Sequence, residues 1–238
     1  MKTTSLATGQ TEIRSDWQLA IDVNMVLQRQ GSNPGKIRLR QPRLVALAER
    51  AIAEGKSLIR PEVAYRILEI QEVKPALVIL ANGAELSGIG VARKLTGAKY
   101  AIVLVATVGA EIEPQIQRAA KVETAFALAL DGYATAAVGA LIIEARRYFA
   151  ELAEGRNLKI TTPLYPGTSE WELAQAQTQL FALVDASSIG VKLNTSFLMM
   201  PCKSVSMVIG AGAQAQSSGE PCDECGAAET CRHRPSKS

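Results

Sequence analysis

At 238 residues, 47% hydrophobic and 21% charged, the chain is long and apolar enough to bury a substantial core, which excludes the disordered and collagen-like classes. Its formal net charge is only +3, with Lys2, Arg14, Arg232, Arg234 and Lys237 toward the two ends. No basic stripe with interleaved aromatics marks a nucleic-acid surface, so no nucleic-acid partner is expected. Met1 to Asp16 is polar and lacks the apolar core of a signal peptide, so a reducing cytoplasm is the expected compartment. In that setting the four cysteines point to thiols or metal ligands, not to disulfides.

In chain order, Ser15 or Asp16 is placed to cap a first helix running to about Gln30, with Gly31-Ser32-Asn33-Pro34-Gly35 as its stop. After Pro42, Leu44, Leu47, Ala48, Ala51 and Ile52 recur at helical spacing until Gly55. Val63 to Val73 and Leu77 to Leu80 read as strands. Ser87 is expected to cap a helix through Leu95, and the β-branched, wholly apolar run Tyr100 to Val105 predicts a central strand buried on both faces. Helices should fill Glu111 to Glu154 with a break near Lys121. Within them, Ala125 to Ile143 approaches membrane-spanning length, but Asp131, Gly132, Thr135 and Gly139 interrupt it, so a buried helix packed through small residues is expected and no membrane span. Ser169 should cap a helix to Asp185, and Val191 to Leu193 and Val205 to Ile209 read as strands. Strands and helices mix without βαβ alternation, which predicts an α+β fold. Gly210 to Gly219, rich in Gly, Ala, Gln and Ser, reads as a flexible linker between a body over 1–209 and a cysteine-rich tail over 220–238.

Gly88-Ile89-Gly90 opens a helix after a strand, but Arg93 stands where a dinucleotide fingerprint has its third glycine, so close packing of the helix start is expected instead. The one histidine, His233, lies in the tail, so the body holds no Ser-His-Asp or Cys-His machinery. Glu111, Glu113, Glu123, Asp131 and Glu144 read as a solvated helix face. The tail has its own chemistry. Cys222, Cys225 and Cys231 form a C-x2-C-x5-C array able to chelate one metal, with Cys202 or His233 as a fourth ligand. Zinc and an iron-sulfur cluster both fit these donors.

Thr161-Thr162-Pro163-Leu164-Tyr165-Pro166-Gly167 is a non-helical stretch whose prolines fix the backbone around a tyrosine. Leu180-Phe181, Ile189-Gly190-Val191-Lys192-Leu193, Ser196-Phe197, Met199-Met200-Pro201 and Lys203-Ser204-Val205-Ser206 follow. Together with the Asp22-x3-Val26-Leu27 helix, Tyr100-Ala101-Ile102-Val103 and Ala106-Thr107-Val108-Gly109, this string resembles the activation (reactivation) domain of cobalamin-dependent methionine synthase, and more closely its small free-standing relatives. The resemblance implies a C-shaped α+β body that lies over the corrinoid of a partner and binds S-adenosylmethionine, so that cob(II)alamin, once reduced by an electron donor, is remethylated. Tyr165, Pro163 and Pro166 match the family's Pro-Gly-Tyr-Pro loop, with Leu164 in place of the glycine. The family's S-adenosylmethionine arginine falls on Ile160, with Lys159 and Lys192 the nearest substitutes, and its glutamates fall on Thr195 and Gly139. The resemblance therefore carries over the fold and a partner surface made by Tyr165 and by Pro201, Ser204, Val205 and Ser206, but not an intact S-adenosylmethionine pocket.

The function these readings imply is a stand-alone reactivation-domain-like protein serving a corrinoid protein or cobalamin-dependent methyltransferase, with the cobalamin on the partner. The alternative is an electron-transfer or redox module that carries iron-sulfur or zinc and does not bind S-adenosylmethionine. A structural subunit with a zinc knuckle is a third reading.

Overall fold

Residues 6–31, 33–168 and 170–215 are described here in a computed structural model. β1 (Glu12–Arg14) leads through an irregular segment to α1 (Val23–Arg29). This helix starts later than the sequence suggested because Asp22, not Asp16, accepts the Met25 N–H at 2.8 Å. Trp17, Leu19 and Ile21 are meanwhile spent on packing against the sheet. The expected stop at Gly31 to Gly35 in fact contains a helix start. Asn33 caps α2 (Pro34–Arg40) by accepting from Lys36 N at 3.1 Å, and Pro34 occupies a first-turn position that needs no donor. α3 (Pro42–Gly55) follows as the periodicity predicts.

Then come β2 (Glu62–Lys74), β3 (Leu77–Leu80), β4 (Glu85–Ser87), α4 (Ile89–Leu95), β5 (Tyr100–Thr107), α5 (Ile112–Val122) and α6 (Thr124–Glu154). The chain closes with β6 (Lys159–Ile160), α7 (Leu173–Leu183), the β7 (Lys192–Leu193) and β8 (Met199–Met200) hairpin, and β9 (Ser204–Gly212). The main sheet is antiparallel and curled, in the order β4-β3-β2-β5-β9-β6, with β1 also on β2. The fold is α+β, as expected. β5 lies between β2 and β9 with every residue buried. Full burial of each large aliphatic there is worth about 1.5–3 kcal/mol, which fixes this strand at the centre.

Alternation along β5 serves two cores. Ala101, Val103 and Val105 face α4 and α7, where Val91, Leu95, Trp171 and Leu180 fill the space. Ile102, Leu104 and Ala106 face the C-terminal half of α6 through Ala137, Leu141 and Phe149. A third core joins the N-terminal half of α6 (Phe126, Leu130, Tyr133) to α1, α3 and α5. α6 is long and apolar enough to cross a membrane, but 61% of its most apolar window is buried against these layers, so it packs as a core helix.

Two glycine-rich stretches owe their composition to close approach. A Cβ on Gly90 would lie 2.9 Å from Glu170 Cβ, and one on Gly88 would lie 2.8 Å from Trp171 Cδ1, so this helix start packs as the sequence predicted. A Cβ on Gly212 would lie 2.5 Å from Gly97 O and 2.8 Å from Ala98 Cα. The segment read as a linker from Gly210 thus begins as the last three residues of β9, pressed against the turn before β5.

Candidate functional site

The loop from Met199 to Ser204 enters β9 and is tied down from three sides. Its Met200–Pro201 peptide is cis and Pro201 is buried. Glu113, in the first turn of α5, accepts from the backbone N–H of Cys202 at 2.5 Å and of Lys203 at 3.3 Å. The Lys203 ammonium reaches α6, where it pairs with Asp131 at 2.7 Å and donates to Thr135 Oγ1 at 2.9 Å. Ser204 Oγ lies 2.9 Å from Thr107 Oγ1, and Val108 N donates to Lys203 O at 3.1 Å. Charge-assisted bonds of this kind fix a loop more firmly than neutral ones do. Glu113 and Asp131 are therefore not the solvated helix face the sequence suggested. Their partners lie 89 and 72 positions away in the chain, and nothing local announces them.

The loop holds up an apolar tip. Asn194 Oδ1 accepts from Ser196 N at 2.9 Å and Leu198 N at 3.0 Å, closing the β7–β8 turn. Phe197, Leu198 and Met200 at this tip are 37%, 53% and 45% exposed. The exposed Cys202 thiol lies 3.8 Å from the Met200 sulfur.

The residues expected to form one partner surface are divided between the faces of the sheet. Leu164 is bonded to Val208 in both directions, at 2.9 and 3.0 Å, and so continues the sheet beyond β6. Its side chain fills the α4/α7 core. The next residue, Tyr165, points to the opposite face, where it packs half-buried in the α6-side core with Val205 and Ile160. Pro163 is buried and Pro166 half-buried. Ser206 lies under α7, 1% exposed, with its hydroxyl 2.9 Å from Gln177 Oε1. Tyr165 and Val205 thus lie on the α6 side, Pro201 is buried in the loop, Ser204 bonds to Thr107 of β5, and Ser206 serves the core.

Along α6, Asp131, Thr135 and Gly139 follow at intervals of four and so share a face. At Gly139 the Arg29 guanidinium comes so close that a Cβ would lie 3.0 Å from Nη2. Ile160 presents no donor to a ligand carboxylate, and Lys192 lies on the β7–β8 hairpin.

Cys222, Cys225, Cys231 and His233 lie outside the described residues. Among the described residues no cluster of metal-ligating side chains occurs. Of the proposed ligands only Cys202 is among the described residues, where its exposed thiol stands in the loop that precedes β9.

No family model and no curated protein matches the chain. Among solved structures, the crystal structure of the MetH reactivation domain bound to AdoHcy is similar with a TM-score of 0.65 and 12% sequence identity. The match covers 90% of this chain and 82% of that one. At that identity the likeness establishes the fold.

Proposed function

We propose that this chain is a reactivation-domain-like protein that docks on a corrinoid-carrying protein and supports its return to the methylated state. In that cycle cob(II)alamin takes one electron from a separate reductant, and the resulting cob(I)alamin accepts a methyl group from a methyl donor. The observation that carries the reading is the Met199–Ser204 loop. α5 and α6 hold it by charged contacts and β5 by neutral hydrogen bonds, and it follows directly on a turn whose Phe197 and Leu198, with Met200, are large exposed apolar groups. A loop ordered at that electrostatic cost while exposing large apolar groups is built for contact. The fold shared with a reactivation domain supports the same reading.

The test is a pull-down of cob(II)alamin-loaded corrinoid proteins encoded beside this chain. A complex at micromolar concentration that depends on cobalt state supports the proposal, and no complex overturns it.

A second reading is favoured by Ile160, whose side chain cannot replace a guanidinium on a ligand carboxylate. On that reading the chain serves the corrinoid protein without S-adenosylmethionine, as an electron-transfer module whose thiols Cys222, Cys225 and Cys231 hold an iron-sulfur cluster or zinc. Anaerobic preparation decides it by metal and sulfide content: sulfide-bearing brown protein favours the cluster, colourless zinc-bearing protein a structural site, and metal-free protein ends this reading.

A further inference from the structure

Beyond the loop, the same helix contributes to a second concave feature. A cleft of about 500 Å³ lies between the C-terminal half of α6 and β6. Arg146 and Arg147 from α6 and Lys159 from β6 line it against a single lining carboxylate, Glu154. Arg147 is engaged by Glu144 one turn back on the helix. Arg146 is not so engaged: its Nε is shut off from solvent and has no hydrogen-bond partner among the described residues. A guanidinium N–H buried without an acceptor carries an unrelieved desolvation cost, and a ligand oxygen that displaces the covering groups and reaches the fork relieves it. The remaining walls are apolar, with Ile143, Ala150 and Ile160 giving an aliphatic floor beside the cations.

We propose that this cleft binds a small organic oxyanion. The Arg146 fork receives its carboxylate or phosphate group in two parallel hydrogen bonds, Lys159 adds a second charge, and the apolar body of the ligand lies on Ile143 and Ile160. An excess of cations over carboxylates selects against cationic ligands, and the aliphatic floor makes an organic anion bind more tightly than a bare inorganic one. The proposal stands apart from corrinoid docking and survives if that docking fails.

The experiment is a titration of the full chain with inorganic phosphate, phenyl phosphate and benzoate at fixed ionic strength, followed by amide shifts of isotope-labelled protein. The expected result is saturable binding of at least one organic anion, tighter than that of inorganic phosphate, with shifts centred on α6 and β6. Whichever of phenyl phosphate and benzoate binds better identifies the oxyanion class. Arg146→Gln should weaken binding by about tenfold or more, and Arg146→Lys by less because the charge is kept. Arg118→Gln, an exposed control on α5, should leave binding unchanged. No saturable binding up to about 10 mM, which corresponds to less than about 3 kcal/mol, overturns the proposal, as does binding that Arg146→Gln leaves intact. If Arg146→Gln does not fold, Lys159→Glu decides in its place, and undiminished binding in that variant overturns the proposal equally.

Discussion

The two faces of the central sheet are built from the same strands but treat their polar residues in opposite ways. On the α4/α7 side Leu164, Trp171, Val208 and Leu180 close the space, and the buried strand hydroxyl of Ser206 is satisfied by Gln177 within the core. On the α6 side polar groups sit at the margin of the core, where they bind loops and line clefts: Lys203 spans to Asp131 and Thr135, Arg29 lies over Gly139, and Arg146 lines a cleft with Ile160. Both faces bury a core, and it is on the margin of the second that the proposed contact with a ligand or partner is placed.

The largest effect separates the faces by stability. Trp171→Ala on the α4/α7 side should cost about 3–5 kcal/mol in denaturant unfolding, because a 1% exposed ring leaves a cavity. Provided the variant is kept under folding conditions, its affinity for a corrinoid partner should be unchanged, and a loss of affinity matching that of a loop variant would blur the contrast.

Glu113→Ala is the matching cut on the other side. It removes a charged acceptor from two backbone N–H groups of the loop, at a cost of about 1.5–3 kcal/mol, and should weaken partner binding by tenfold or more. Glu113→Gln keeps an acceptor oxygen and should recover most of that affinity. Equal affinities in all three proteins would show that the loop is not the contact.

Ile160→Arg sharpens the account of the α6 face in the direction of gain. Calorimetry should find weak or no S-adenosylmethionine binding in the unaltered chain, and one to two decades tighter binding once a guanidinium is restored, from about 1.5–3 kcal/mol per charge-assisted contact. Low-micromolar binding before the substitution would mean that Arg29, Arg146 or Lys159 already fills the role.

How much of this was legible in the chain follows from the range of the interactions. β2, β3 and β5 were readable because burial on a sheet imposes a local apolar pattern, and α3, α5 and α6 because of their period. α2 was not, since Gly31, Pro34 and Gly35 are the residues of a stop and of a start alike, and only the Asn33 cap decides between them. The choice of Asp22 over Asp16 rests on Trp17 finding the Tyr148 ring 6.0 Å away, a contact made across the fold. Gly210 to Gly212 mimicked a linker because a strand pressed against another backbone needs the same small residues that a flexible chain uses. In the site, Pro201, Tyr165 and Val205 could be picked out by resemblance. Glu113, Asp131 and Arg146 could not, because a carboxylate or guanidinium on a helix looks alike whether it faces water, a distant loop or a cleft.

The smallest effect concerns the helical lobe and appears only in alkali. Burial pushes Tyr133, 2% exposed, up to about 12, and on β2 burial first and the Glu12 hydrogen bond second also raise Tyr65. Both hydroxyls are held neutral by the fold. The stability this confers is complete below the unfolded value near 10 and is lost as pH rises toward 12. Tyr133→Phe should unfold less steeply than the parent over that window and match it closely at pH 7, and identical alkaline profiles would remove Tyr133 from the account.

Docking of the α6 side and its anchored loop on a corrinoid should register in the visible spectrum of cobalt itself. A cob(II)alamin-loaded corrinoid protein encoded beside this chain is titrated with the parent and with Glu113→Ala. The spectrum should change with a midpoint at micromolar concentration for the parent and at least tenfold higher for the variant. An unchanged cob(II)alamin spectrum, or one that both proteins alter alike, would contradict it.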